Sequence, residues 1–124
     1  MKKIINSEKA PRAIGPYSQA VEANGILFIS GQLPIDPLTG KIAEGIKAQA
    51  IQVFKNIEAI LTAAGYSFDD VVKSTVLLSD ISNFAVMNEV YAQFYTGNYP
   101  ARAAYQVAAL PLGALVEIET IAVK

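Results

Sequence analysis

Between Ile46 and Ala64, apolar residues recur every three or four positions, at Ile46, Ala50, Val53, Phe54, Ile57, Ile60, Leu61 and Ala64. Lys47, Gln49, Gln52, Lys55 and Glu58 fall between them. This spacing gathers the apolar side chains on one stripe and predicts an amphipathic α-helix, stopped by Gly65. Phe84, Met87, Val90, Tyr91 and Phe94 repeat in the same way and predict a second helix over residues 83–96, with Asp80 or Ser82 as N-cap and Gly97 as its end. The other apolar runs are short, β-branched and bounded by Gly, Pro or Asp: residues 2–6, 17–23, 26–30, 71–78, 102–109 and 115–123. They predict six strands. The order is three strands, a helix, a strand, a helix and two strands, in one domain over residues 1–124. Two helices suffice to cover one face of a six-stranded sheet.

The other face shows no sign of being wet. A sheet with one solvated face alternates apolar and polar residues along each strand. Here Ile26 to Ile29 is apolar on both parities, as is Val76 to Leu78, and residues 101–109 are mostly small and apolar on both. With no chain left to cover that face, a second copy of the chain is the expected cover. Composition agrees: 52% of the residues are hydrophobic and only 17% charged, against about 25% in an average domain.

The sequence excludes several chemistries. With no Cys and no His, it cannot form a Cys/His zinc site, a His-activated nucleophile or a redox Cys pair. Ten basic against eleven acidic residues give a net charge of -1, so no polycationic surface is expected and nucleic acid is not the expected partner. After Ile4 and Ile5 the opening MKKIINSEKAPR turns polar, without the apolar core of a signal peptide, and a cytoplasmic location is expected. The longest uncharged stretch, residues 103–116, is too short to span a bilayer and contains Pro111 and Gly113, so no membrane role is expected. Thr39 to Lys41 lacks the glycine spacing of a phosphate loop and reads as a hairpin turn.

Arg102 stands out among small side chains, with Ala104, Gln106 and Ala108 on its own parity. A guanidinium with room around it suits a two-point grip on a carboxylate, and a buried ion pair with a Glu is the alternative. Glu117 and Glu119 share the parity of Leu115, Ile121 and Val123, opposite to Val116 and Ile118, and so point to the face assigned to the partner copy. Carboxylates there are costly unless paired or used. Gly31, just past a strand, offers either an anion-binding N–H or an ordinary turn. Tyr17 opens a strand and offers either a phenol for a ligand or packing. Asn88 lies mid-helix on the flank of the apolar stripe, and Asp69 and Asp70 read as a solvated turn.

The run YPARAAYQVAALPLGALVEIET, residues 99–120, closely resembles the signature of the RidA (YjgF) family: Pro-Ala-Arg, a strand ending in Leu-Pro, then an Ile/Val-Glu-Ile-Glu strand. APRAIGPYSQAV at residues 10–21 and ISGQLPIDPLTG at residues 29–40 are similar to that family's N-terminal motifs, and the resemblance runs from Asn6 onward. It implies a chorismate-mutase-like α+β fold, a six-stranded mixed sheet with two helices on one face, in a homotrimer with three sites in the clefts between subunits. It also implies 2-iminobutanoate/2-iminopropanoate deaminase activity. Reactive enamines and imines released by pyridoxal-phosphate enzymes would be hydrolysed to 2-keto acids and ammonia, with no cofactor and no metal. Under the resemblance, Arg102 binds the carboxylate and Glu117 handles water. Tyr17, Ser30, Gly31 and Asn88 line the ligand, and the backbone carbonyl of Ala104 helps hold the water.

The sequence departs from the family pattern where Ala103, Ala104 and Tyr105 replace a frequent Ser-Cys-Val, where Ala109 replaces a frequent Arg, and where Leu112 and Gly113 replace a Lys-Asp turn. These changes leave the cleft rim less charged. The rival reading is a non-catalytic trimeric binder or sensor of small keto acids that uses the same Arg102 without turnover. A ribonuclease reading of the family finds neither a His pair nor a basic groove here.

Overall fold

The computed structural model describes residues 1–124. Its six strands are β1 (Lys3–Ile5), β2 (Ala20–Ala23), β3 (Ile26–Gln32), β4 (Val71–Leu78), β5 (Ala101–Gln106) and β6 (Val116–Val123), and its two helices are α1 (Ile46–Ala64) and α2 (Phe84–Phe94). They form one mixed sheet in the order β1-β2-β3-β6-β4-β5, antiparallel throughout except for the parallel pair β4 and β5. A parallel pair needs a crossover, and α2 supplies it between β4 and β5. α1 joins β3 to β4, and β6 fills the slot between those two strands. Both crossovers bring their helices onto the same face, and a core of 22 residues forms between helices and sheet.

The apolar stripe of α1 faces the sheet as the periodicity requires: Ala50, Val53, Phe54, Ile57, Ile60 and Leu61 are buried. Gly65 closes the helix in the left-handed conformation, with φ 81°. Two polar residues share the buried side. Gln49, one of the residues expected between the apolar ones, accepts a hydrogen bond from the Leu115 N–H at 2.8 Å. Asn56 donates to the Leu33 and Ile35 carbonyls at 3.1 and 3.0 Å. Each satisfies backbone groups of a loop that crosses the core edge, which is what lets a polar side chain stay inside.

The second helix ends earlier than expected. It stops at Phe94, because Tyr95 turns extended and buries its ring, 2% exposed, against Phe54, Phe68 and Tyr91. Gly97 therefore lies beyond the helix end. Asp80 caps the short 3-10 turn Ile81–Asn83 that leads into α2, accepting from the Ser82 N–H at 2.9 Å. Strand β5 stops at Gln106 and not at residue 109, since its neighbour β4 ends at Leu78, the register partner of Gln106. β2 begins only at Ala20, which leaves Tyr17 in the loop before it.

On the sheet face away from the helices, Ile4, Val21, Phe28 and Ile121 form one row across β1, β2, β3 and β6. Phe28 in that row is 46% exposed, and Tyr105 on β5 is 50% exposed. An apolar row is therefore present on the second face, beside the polar positions of β4 and β6. Neither helix is long and apolar enough to cross a membrane.

Candidate functional site

The register of β3 against β6 breaks at one point. Ile29 is paired with Thr120 and Gln32 with Ile118, so Ser30 and Gly31 together oppose the single residue Glu119. Such a bulge adds a residue to one strand and re-aims the side chains around it. Gln32 turns back into the core, 5% exposed, and its amide donates to the Ser30 carbonyl at 3.0 Å. Gly31 is left against the Glu117 side chain, so closely that a Cβ at this position would collide with the carboxylate. Gly31 does not have a positive φ, so it is glycine for room and not for backbone freedom.

Glu117 and Glu119 project from the uncovered face into a hollow of about 430 Å³ that Ile14, Tyr17, Ser30 and Gly31 also line. Partial burial, and secondarily the charge of Glu119, push the Glu117 carboxyl above the usual carboxylate range. The Tyr17 hydroxyl accepts from the Ile14 N–H at 3.3 Å. The loop before Tyr17 is clasped by the buried Gln19 side chain, which accepts from the Ser7 N–H at 2.7 Å and donates to the Ser7 and Pro11 carbonyls at 3.0 and 2.9 Å. The Ser30 hydroxyl donates to the Ser18 carbonyl at 2.6 Å, so its proton is already engaged. Gly31→Ala tests the packing of this half. The chain folds normally and the Glu117 carboxylate moves away, because the new methyl would collide with it. A crystal structure of the variant with the Glu117 side chain unmoved would contradict this packing.

Arg102 occupies a second hollow, of about 350 Å³, lined by Asn88, Tyr91, Tyr99, Pro100 and Arg102 itself. Its Nη1 donates to Asn88 Oδ1 at 2.7 Å, and the guanidinium carbon lies 4.8 Å from the Tyr91 ring centre and 5.4 Å from that of Phe84. Asn88, Tyr91 and Phe84 all belong to α2, so this hollow is on the helix-covered side. The strand registers agree. Arg102 pairs with Ser74, which pairs with the buried Thr120, whereas Glu117 pairs with Leu77, three residues further along β4. An odd separation puts the two on opposite faces.

The candidate residues therefore divide between the two faces of the sheet, and the uncovered face holds only some of them. Glu117 and Glu119 are there, together with Tyr17, Ser30 and Gly31; Arg102 and Asn88 are not. The alternative of an Arg102–Glu ion pair inside one chain does not form. Ala104, on the parity of Arg102, packs its methyl against the core. Sequence reasoning passed over Tyr91 and Phe84 as supports of Arg102, although their spacing to Asn88 carried the signal: residues 84, 88 and 91 lie on one helical stripe. It also passed over Gln19 and Gln106, whose work is hydrogen bonding to backbone across distant loops.

The molecule is thus an α+β protein with a guanidinium hollow at one sheet edge and a carboxylate hollow on the opposite face. The chain belongs to the Endoribonuclease L-PSP family, whose profile matches residues 7–124. A RutC family protein of Pyrococcus horikoshii is 57% identical over 125 residues, spanning 100% of this chain and 99% of that protein. The mouse 2-iminobutanoate/2-iminopropanoate deaminase is 52% identical, over 100% of this chain and 93% of its own length. The crystal structure of RidA from the Antarctic bacterium Psychrobacter sp. PAMC 21119 superposes with a TM-score of 0.97 at 56% identity, covering 98% of this chain and 99% of that one.

Proposed function

We propose that this chain is a cytoplasmic homotrimer that hydrolyses 2-imino acids to 2-keto acids and ammonia, at sites formed where the Arg102 hollow of one copy meets the Glu117 hollow of the next. The full-length relatives named as deaminases support the reaction. The observation that carries the assembly is the placement of Arg102 and Glu117 on opposite faces of the sheet, each in an open hollow lacking the other's function. The half-exposed apolar row across β1, β2, β3 and β6 supplies surface for the copies to bury.

The chemistry asks little of the protein beyond placement. The carbon of a protonated imine is already electrophilic, so a bound water adds to it once substrate and water are oriented. The substrate carboxylate lies against Arg102 of one copy and the Gly31 N–H of the other, which brings the imine carbon over Glu117. Glu117 takes a proton from the water as its oxygen bonds to that carbon and the C=N electron pair moves to nitrogen. The same carboxyl then gives the proton to the amine of the tetrahedral adduct. The C–N bond breaks, ammonia departs, and the remaining hydroxyl loses its proton to Glu117 as the carbonyl forms. That last proton leaves with ammonia as ammonium. A carboxyl with raised proton affinity suits both directions of transfer. The Ala104 carbonyl would give the water a second acceptor.

Ribonuclease chemistry draws no support from these residues. The chain has no His, the carboxylate hollow has no Lys or Arg, and the other hollow has Arg102 alone. The test is to generate 2-aminoacrylate with a serine dehydratase and follow pyruvate and ammonia. The protein accelerates release of both over buffer. Pyruvate binding with no acceleration would replace the deaminase by the keto-acid sensor.

A further inference from the structure

We infer that Asn88 and Tyr91 are positioning residues that pre-set the Arg102 guanidinium, with Asn88 acting through Arg102 and not on the substrate. The inference rests on the reading of Arg102 as the carboxylate-binding group. Phe84, Asn88 and Tyr91 follow one another at i, i+4 and i+7 on α2, so they form a single stripe facing β5. The stripe meets the guanidinium through the Asn88 amide oxygen at Nη1 and through two aromatic rings.

The support is rigid. Tyr91 is buried, packs edge-on to Phe54 at 5.6 Å and lies 4.8 Å from the Tyr95 ring, so the platform cannot swing away. Its hydroxyl is buried near Ser74, the register partner of Arg102. The helix is itself tied to the strand carrying Arg102, because Gln106 on β5 accepts from the Ile81 N–H at 2.8 Å, just before α2.

A guanidinium has five N–H donors in a fixed fork, and Asn88 engages it at Nη1 only. The donors beyond Nη1 are left to grip a carboxylate entering from the side of Tyr99 and Pro100. Holding a long, otherwise free side chain in its bound geometry removes the ordering cost from the binding step. An amide is the right clamp because it accepts a hydrogen bond without cancelling the positive charge that attracts the substrate.

The test uses pyruvate, an unreactive 2-keto acid, as the probe of affinity. Asn88→Ala weakens pyruvate binding and raises KM by about tenfold, with kcat within about threefold, as expected when a fixed charged hydrogen-bond donor is set loose. Asn88→Asp weakens binding further than Ala, because a carboxylate pairs with the guanidinium and repels the substrate. If Asn88 instead faced the substrate's iminium group, Asn88→Asp would turn over the imine better than Asn88→Ala, which overturns the inference. The Arg102 side-chain nitrogens in the ligand-free protein give an independent readout by NMR. Rotation about the guanidinium bond is slowed in the wild type and becomes fast in Asn88→Ala. Equal rotation in both proteins contradicts the clamp even if the protein proved not to be a deaminase.

Discussion

Glu117→Gln lowers kcat by a factor of about 10² to 10⁴, the usual range for removing a positioned general base, while the fold and assembly are retained. The substitution keeps the size of the side chain and its hydrogen-bonding capacity but removes its ability to carry a proton. Pyruvate affinity holds or improves, because Arg102 is untouched and a carboxylate facing the ligand's own carboxylate is neutralised. The pH dependence gives a second check. In the wild type, kcat requires ionised Glu117 and declines toward acid with a midpoint above the ordinary carboxylate value, since burial first and Glu119 second favour the protonated form. In Glu117→Gln that acid limb disappears. Steady-state rates across pH decide the matter, and equal turnover in the two proteins would remove Glu117 from the mechanism.

Arg102→Ala abolishes pyruvate binding and lowers kcat/KM by at least about a hundredfold. Each hydrogen bond to a charged group contributes about 1.5 to 3 kcal/mol, and a carboxylate gripped at two points loses both. The protein stays folded, because the side chain is exposed and hydrogen-bonds the Asn88 amide on α2, with no buried carboxylate left behind. Calorimetric titration with pyruvate measures the binding loss, and circular dichroism confirms the fold. Wild-type affinity in this variant would mean that the carboxylate is held elsewhere.

Much of this arrangement was legible in the sequence. The periodicity of residues 46–64 placed α1 with its boundaries, because a 19-residue helix with a glycine stop carries redundant signals. The parity of Val116 and Ile118 against Glu117 and Glu119 correctly sent both carboxylates to the uncovered face. The face of Arg102 was not legible, because parity within one strand says nothing about which face it presents. That depends on the register of β5 against β4, set by the length of the crossover through α2. The bulge at Ser30 and Gly31 was equally hidden, since two residues opposite one leave no mark on the composition of either strand. The end of α2 was missed for a tertiary reason: the core has room for the Tyr95 ring, and burying it outweighs a further turn of helix.

If one site draws Arg102 and Glu117 from different copies of the chain, mixing two inactive variants restores activity. Arg102→Ala and Glu117→Gln chains, carrying different tags and co-expressed, are purified as mixed oligomers through both tags in turn. Where an Arg102→Ala chain presents its intact Glu117 to a Glu117→Gln chain with its intact Arg102, a complete site is rebuilt. With homotrimers removed, every mixed trimer, whether two-to-one or one-to-two, holds one complete site among its three, about a third. Activity therefore returns to about that fraction of wild type, from two parents that have almost none. Mixed oligomers as inactive as their parents would place both residues in the same chain's site and contradict the account.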